Sequence, residues 1–260
     1  MRSTVFDEER VGFLTSVELK EAEGGPDLSK YPFCIPAVAA LSNKVRLHPQ
    51  ATFFVGDNGA GKSTLIEGIA VAAGFNAEGG SQHFNFSSRR SHSELHRYLR
   101  LVRPARRPVT GYFLRAESFF NVATNIEAMD RVQAIAPLVI ASYGGRSLHE
   151  QSHGESFMAL ALHRFGPHGL YILDEPEAAL HPNMQLALLR RIRDLVRQGC
   201  QFIVATHSPI LMALPEAQIY VVSASGIQSA SYEDTEHYKV TKTFFEDHRL
   251  FLRELFADDP

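Results

Sequence analysis

The sequence is poor in cysteine and carries little net charge, and each shortage excludes a class of protein. Only Cys34 and Cys200 are present, and neither lies in a CxxC pair, so we expect neither a disulfide framework nor a zinc site. A formal net charge of −3 gives no overall attraction to nucleic acid or acidic membranes, so any such contact requires a local patch. This cysteine usage is typical of a protein from a reducing cytosol.

Long apolar runs are also missing. No stretch approaches the roughly 18 uninterrupted apolar residues expected of a spanning helix, and residues 1–10 lack the apolar region of a signal peptide. The sequence therefore predicts no membrane span and a cytoplasmic location. The chain has 260 residues and 45% hydrophobic content, so it can bury a substantial core. We expect a single domain that spans residues 1–260.

A glycine-rich loop with a lysine and a serine follows the apolar run 51–55 and precedes a helical segment. Glycines let backbone N–H groups turn inward around phosphate oxygens, the lysine ammonium reaches the outer phosphates, and the serine hydroxyl holds Mg²⁺. The helix that follows faces the anion with its positive end. The pattern predicts ATP and Mg²⁺ as ligands. The residues predicted to bind are Gly56, Asp57, Asn58, Gly59, Ala60, Gly61, Lys62, Ser63 and Thr64.

Two further motifs each follow a short apolar run. Asp174 ends the run 170–173, where a phosphate-loop NTPase carries its Mg²⁺-organising carboxylate, and Glu175 can take a proton from the attacking water. His207 follows the run 201–205 and should emerge at the same edge of the sheet, where it could touch the γ-phosphate. The alternatives are a charged turn at Asp174 and a purely structural histidine at His207.

The coarse pattern predicts an α/β fold with a mostly parallel sheet, because strands and helices alternate in the second half of the chain. An antiparallel β edge is expected from residues 11–18 and 45–55. Residues 95–102 and 109–114 predict two strands, or a short helix followed by a strand. A hairpin over 218–231 and a final helix over residues 241–256 complete the prediction.

Together these motifs resemble an ABC-type ATPase head of the soluble branch that includes SMC, RecF and OLD-like proteins, and most closely the compact stand-alone AAA family ATPases. The resemblance covers most of the chain. It implies that residues 148–156 replace the ABC signature, with Ser152, Gly154 and Glu155 capping the γ-phosphate held by a second protomer. It also implies a helical signature subdomain at approximately residues 119–165.

The sequence departs from the family pattern at two points. The common signature is Leu-Ser-Gly-Gly-Gln, whereas this chain carries His153 and Glu155, and no glutamine occupies the expected Q-loop near residues 112–118. Glu117 is the best substitute as a metal ligand. Only residues 118–151 separate Glu117 from Ser152, which leaves no room for the coiled-coil arm of SMC-like proteins.

The function implied is Mg²⁺-dependent ATP hydrolysis with ATP sandwiched in a head-to-tail homodimer that acts as a switch. The targets that we consider are DNA and a partner protein, in repair or phage defence. The alternative is the nucleotide-binding subunit of an ABC transporter, although transporter heads usually carry the glutamine and signature that this chain lacks. A third reading is a regulatory nucleotide-binding module with negligible turnover.

A basic segment lies between residues 89 and 107, with a single opposing charge at Glu94. If these side chains share a face, they could contact nucleic-acid phosphates. The alternative is a solvated face with intramolecular ion pairs. The residues concerned are Arg89, Arg90, Arg97, Arg100, Arg103, Arg106 and Arg107.

Overall fold

The computed structural model describes residues 11–20, 26–81, 93–117, 119, 123–124, 130 and 139–257. The described strands form two sheets, and helices flank the larger one. The strands are β1 (Ser16–Leu19), β2 (Val45–Arg46), β3 (Ala51–Val55), β4 (Leu99–Val102), β5 (Thr110–Arg115), β6 (Gly169–Asp174), β7 (Gln201–Ala205), β8 (Gln218–Ser223) and β9 (Gly226–Ala230). The α-helices are α1 (Pro36–Ala39), α2 (Lys62–Ala72), α3 (Leu95–Tyr98), α4 (His153–Ala159), α5 (Pro182–Arg197), α6 (Glu236–Glu246) and α7 (His248–Leu255).

The larger sheet has the strand order β5-β6-β7-β3-β8-β9. All neighbouring pairs are parallel except β8 and β9, which form an antiparallel hairpin. The predicted mostly parallel sheet and the hairpin are therefore confirmed. Because the carboxyl ends of parallel strands meet at one edge, the loops after β3, β6 and β7 lie side by side.

Side chains along the parallel strands point alternately into two hydrophobic layers, as the period of two in a strand requires. Phe53 faces the layer that contains Leu188 and Ile192 of α5. Phe54, its neighbour, faces the opposite layer, which contains Leu65 of α2 and residues of the small sheet. The sheet is thus buried on both faces, which is typical of parallel strands.

The small sheet is antiparallel, with the order β2-β1-β4. The predicted strand segment 45–55 is therefore two strands in different sheets, and the segment 95–102 is a helical turn followed by a strand. The buried side chain of Gln201, in β7, bonds the segment before β1 to the large sheet. Its Oε1 accepts from the N–H groups of Phe13 (2.8 Å) and Leu14 (2.9 Å). Its Nε2 donates to the carbonyls of Leu14 (2.7 Å) and His48 (2.9 Å).

The single C-terminal helix predicted over residues 241–256 is wrong, because the structure has α6 and α7 there. Asp247 interrupts the helix with φ −150° and ψ 81°, and its carboxylate accepts from the N–H of Leu250 at 3.0 Å. Thr235 caps α6 in the same way, so this helix begins earlier than predicted. Short polar side chains at both positions satisfy N–H groups that a helix start leaves unpaired.

Much of the predicted helical subdomain, residues 119–165, lies outside the described residues. Its described part contains 3₁₀ turns at Val139–Tyr143 and Leu148–Glu150, α4, and a π-helical turn at Leu160–Arg164. In the part of the chain that the structure describes, no helix combines the length and apolarity that crossing a bilayer requires.

Candidate nucleotide site

The loop between β3 and α2 has the backbone of a phosphate cradle. Gly56, Gly59 and Gly61 have φ of 146°, 79° and 94°, a region that other residues adopt only with strain. Gly61 is the N-cap of α2, so the helix begins directly at Lys62. A Cβ at Gly56 would lie 2.1 Å from the carbonyl oxygen of Val222, whereas one at Gly59 would meet nothing within 4 Å. Both conformation and space therefore require glycine at position 56.

Lys62 is almost fully buried at 4% exposure. Its Nζ donates to the carbonyl oxygens of Gly56 and Asp57, each at 2.8 Å, so the ammonium lies inside the loop. Burial lowers the pKa of Lys62, and the carboxylates of Glu175 and Asp174 oppose that shift. The loop thus surrounds one positive charge that faces acidic groups from β6.

Ser63 and Asp174 meet at the carboxyl edge of the sheet, where the Oγ of Ser63 donates to the Oδ1 of Asp174 at 3.0 Å. Burial raises the pKa of Asp174 from 3.8 to about 6, against the opposing effects of Arg115 and of the bond from Ser63. A hydroxyl and a carboxylate oxygen fit Mg²⁺, which binds few protein ligands and keeps phosphate oxygens and water. The described residues contain no cluster of three or more His, Cys, Asp or Glu that could hold a metal ion.

Arg115 is a site residue that the sequence analysis missed. It ends β5 and is in register with Asp174, and its Nη1 binds the Oε2 of Glu67 at 2.8 Å. Its Nε lies 3.9 Å from the Oδ2 of Asp174, and its Nη2 lies 3.5 Å from the Oε2 of Glu117. The side chain of Glu117 is 87% exposed and turned toward Arg115. In the sequence Arg115 is only a charged residue at the end of an apolar run, because its place beside Asp174 depends on the pairing of β5 with β6.

Glu175 has the left-handed conformation, with φ 50° and ψ 52°, and its N–H donates to the carbonyl of Ala205 at 3.0 Å. Its Oε1 lies 3.6 Å from the Nε2 of His207. That nitrogen is buried and has no hydrogen-bond partner among the described residues. Burial lowers the pKa of His207, as does the nearby charge of Lys62, which favours the neutral imidazole. The carboxylate of Glu175 and the Nε2 of His207 thus face each other, and both are positioned to contact a third molecule.

Two further residues bind the loop that carries His207. The Oε1 of Glu177 accepts from the backbone N–H of His207 at 2.5 Å. The Nε2 of His237, in α6, lies 3.4 Å from the Nδ1 of His207. Neither residue was predicted from the sequence, although Glu177 lies two positions after Glu175. No local sequence pattern marks His237, because the residue reaches the site only when the chain returns after β9 and places α6 beside the loop that follows β7.

The predicted signature segment begins α4 with a capping box. Ser152 Oγ accepts from the N–H of Glu155 at 3.3 Å, while Glu155 Oε2 accepts from the N–H of Ser152 at 3.0 Å and its Oγ at 2.8 Å. These bonds lower the pKa of Glu155. Gly154 is buried, and a Cβ there would lie 2.9 Å from both the carbonyl of Ala179 and the sulfur of Met184. No described hydrogen bond joins this segment to the phosphate loop of the same chain.

The described part of the basic segment makes mostly intramolecular contacts. Arg97 pairs with Glu94 at 3.7 Å and Arg100 with Glu18 at 3.5 Å. The guanidinium Nη2 atoms of two further arginines donate to backbone carbonyls near helix ends, from Arg103 to Ala72 (2.6 Å) and from Arg106 to Gly199 (3.2 Å). Arg89 and Arg90 lie outside the described residues. These contacts favour the alternative of intramolecular pairing.

Residues 143–213 match a family model described as "AAA domain, putative AbiEii toxin, Type IV TA system". The matched range includes Ser152, Asp174, Glu175 and His207, and the phosphate loop lies before it. Together with that loop, the match supports an ATP-binding P-loop domain. A search of curated proteins gives no match to the chain.

Two solved structures are similar to this chain. The structure described as "An inward-facing conformation of a putative metal-chelate type ABC transporter" is 16% identical, with a TM-score of 0.49 over 88% of this chain and 87% of that chain. The protein cbiO1 from Clostridium perfringens, part of the ABC transporter complex cbiONQ, is 15% identical, with a TM-score of 0.48 over 94% of this chain and 100% of that chain. At such identities the similarity concerns the fold alone.

Proposed function

We propose that the protein is a Mg²⁺-dependent ATPase of the ABC type, in the soluble SMC, RecF and OLD-like branch, whose ATP-bound form is a head-to-tail dimer. The observation that carries this proposal is the meeting of three sequence-distant motifs at one sheet edge. Ser63 lies 3.0 Å from Asp174, and Glu175 lies 3.6 Å from His207. A phosphate cradle, an acidic pair and a histidine in contact are the parts that phosphoryl transfer to water requires.

In this proposal Lys62 and the loop N–H groups hold the β- and γ-phosphates of ATP. The Glu175 carboxylate accepts a proton from water as its oxygen bonds to the γ-phosphorus and the bond to the bridging oxygen of ADP breaks. His207 donates from Nε2 to a γ-phosphate oxygen, which explains why this buried nitrogen has no described partner in the protein. The chemistry is therefore mostly positioning and charge stabilisation.

Ser63 and Asp174 would hold Mg²⁺, and Glu117 would approach it from the end of β5. When bound, the metal neutralises charge on the phosphate oxygens. Arg115 keeps the acidic groups together, since its guanidinium lies near Glu67, Glu117 and Asp174.

The signature segment is the feature that supports a dimer in this proposal. Ser152 and Glu155 bond to each other, and a Cβ at Gly154 would meet Ala179 and Met184, so the hydrogen bonds described for Ser152 and Glu155 do not reach their own phosphate loop. A helix start directs backbone N–H groups and the positive end of its dipole outward, which suits a phosphate. We assign that phosphate to the ATP of a second copy.

Glu175→Gln tests the catalytic role. The variant should bind ATP and accumulate as an ATP-bound dimer, with kcat reduced about 100-fold or more, because the amide cannot take the proton. Lys62→Ala should not bind ATP, and Glu254→Gln, on the exposed face of α7, should resemble the wild type. Steady-state phosphate release and light scattering measure both effects. Wild-type turnover by Glu175→Gln would refute the assigned role.

Mixing two inactive variants tests the shared site. Lys62→Ala and Ser152→Arg damage opposite halves of each composite site, so a mixed dimer keeps one intact site and the mixture should recover on the order of a quarter of wild-type activity. A mixture of Lys62→Ala with Ser63→Ala should recover none. Recovery in neither mixture would contradict the head-to-tail arrangement. The same assay with duplex DNA added tests DNA as the target of the switch.

A further inference from the structure

The start of α6 is anchored on the loop that carries His207. Thr235 is fully buried, and its Oγ1 accepts from the N–H of Tyr238 at 3.3 Å and donates to the carbonyl of Tyr232 at 2.7 Å. The hydroxyl of Tyr232 in turn donates to the carbonyl of Pro209 at 2.9 Å. The first turn of α6 is thereby fixed relative to residues 207–209.

His237 lies in that first turn and points at the nucleotide site. Its Nε2 is 3.4 Å from the Nδ1 of His207, with ring centroids 5.6 Å apart. His207, His237 and Asp57 of the phosphate loop line one open cleft of about 280 Å³. Burial lowers the pKa of both histidines, and the charge of Lys62 adds to this, which favours neutral rings that each carry one proton.

The carboxylate of Glu175 decides which nitrogen of His207 carries that proton. If His207 donated from Nδ1, its Nε2 lone pair would face the Oε1 of Glu175 at 3.6 Å, an arrangement of two acceptors. If His237 donates from Nε2 to Nδ1, the proton of His207 lies on Nε2 and faces Glu175. Only the second arrangement pairs a donor with an acceptor on both sides of His207.

We propose that His237 is a positioning residue for ATP hydrolysis: its Nε2–H holds His207 in the tautomer that presents an N–H toward Glu175 and the γ-phosphate. The inference rests on the proposed ATPase function. It gives helix α6 a part in the nucleotide site, through a second histidine that does not itself contact the reacting atoms.

Three variants test this role. His237→Phe keeps an aromatic ring without the donor, and should lower kcat about 10- to 100-fold, as loss of an orienting partner does elsewhere, with KM for ATP nearly unchanged. His237→Gln, which restores an N–H donor, should recover most of that loss. His248→Phe, an exposed histidine in α7, should resemble the wild type. Equal losses in His237→Phe and His237→Gln, or none in either, would overturn the role.

A nucleotide-free measurement separates this inference from the proposed function. Nitrogen-15 spectra of the histidine rings, with His207 assigned by a His207→Ala variant, should show the Nε2–H tautomer in the wild type and a mixture in His237→Phe. An Nδ1–H tautomer of His207 in the wild type would overturn the inference even if ATP is hydrolysed. A wild-type protein that shows the expected tautomer but hydrolyses no ATP would overturn the proposed function instead.

Discussion

Replacing Asp174 with asparagine should make the protein more stable while removing the ATPase activity proposed above. The carboxyl is 6% exposed, and burial raises its pKa from 3.8 to about 6. Since a tenfold change in proton affinity is worth about 1.4 kcal/mol, ionised Asp174 lowers the free energy of unfolding by about 3 kcal/mol. The amide of the substituted side chain would still accept from Ser63 but would carry no charge, and the net pKa shift already includes the opposing attraction of Arg115, so Asp174→Asn should stabilise the fold by up to about 3 kcal/mol.

The effect has a defined pH window. The folded-state pKa of Asp174 is raised, so the native protein holds a proton that the unfolded chain has already released between pH 3.8 and about 6. The penalty is absent below the unfolded value and complete above the folded one. The stabilisation by Asp174→Asn should therefore be present at about pH 8 and vanish at about pH 4.

Urea unfolding of the nucleotide-free protein at the two pH values measures this difference. Asp234→Asn is the matched control, because Asp234 is exposed and should change stability by about 0.5 kcal/mol or less at either pH. An Asp174→Asn variant that is less stable than the wild type at high pH would refute the reasoning, since it would show that attraction to Arg115 outweighs burial. The same variant should lose Mg²⁺-dependent ATP hydrolysis.

Two other predictions concern the scaffold and use the same unfolding assay. Gln201→Leu should lower the free energy of unfolding by about 2–5 kcal/mol, because four backbone groups lose their hydrogen-bond partner. The control Gln228→Leu, on the surface, should change it by about 0.5 kcal/mol or less. Equal effects of the two substitutions would contradict the bridging role of Gln201. Gly56→Ala should lower it by about 3 kcal/mol or more, since the new Cβ would meet Val222 O at 2.1 Å, whereas Gly59→Ala adds only backbone strain of about 1–2 kcal/mol. A Gly56→Ala variant as stable as Gly59→Ala would show that the loop can shift.

Local patterns were enough to predict the parts of the site that follow buried strands. The phosphate loop follows β3, Asp174 ends β6 and His207 follows β7, and in a parallel sheet such positions share one edge. Their assembly could therefore be predicted without knowing the strand order. Their chemical roles remain predictions.

The parts that could not be predicted depend on contacts between distant segments. Arg115 matters because β5 pairs with β6, and His237 matters because α6 returns to the β7 loop after the hairpin. Neither residue has a spacing that distinguishes it from an ordinary surface arginine or histidine. The break at Asp247 was missed for a different reason, since apolar periodicity continues across it while a side-chain cap ends one helix and begins the next.

The backbone of Glu175 has a consequence for any attempt to improve this protein. A left-handed conformation costs a non-glycine residue about 1–2 kcal/mol, so Glu175→Gly should gain stability, as should the uncharged Asp174→Asn variant. Directed evolution for heat resistance or expression alone would thus favour mutations at the two neighbouring carboxylates. A library screened in that way should be sequenced at these codons first, because its most robust members would be inert.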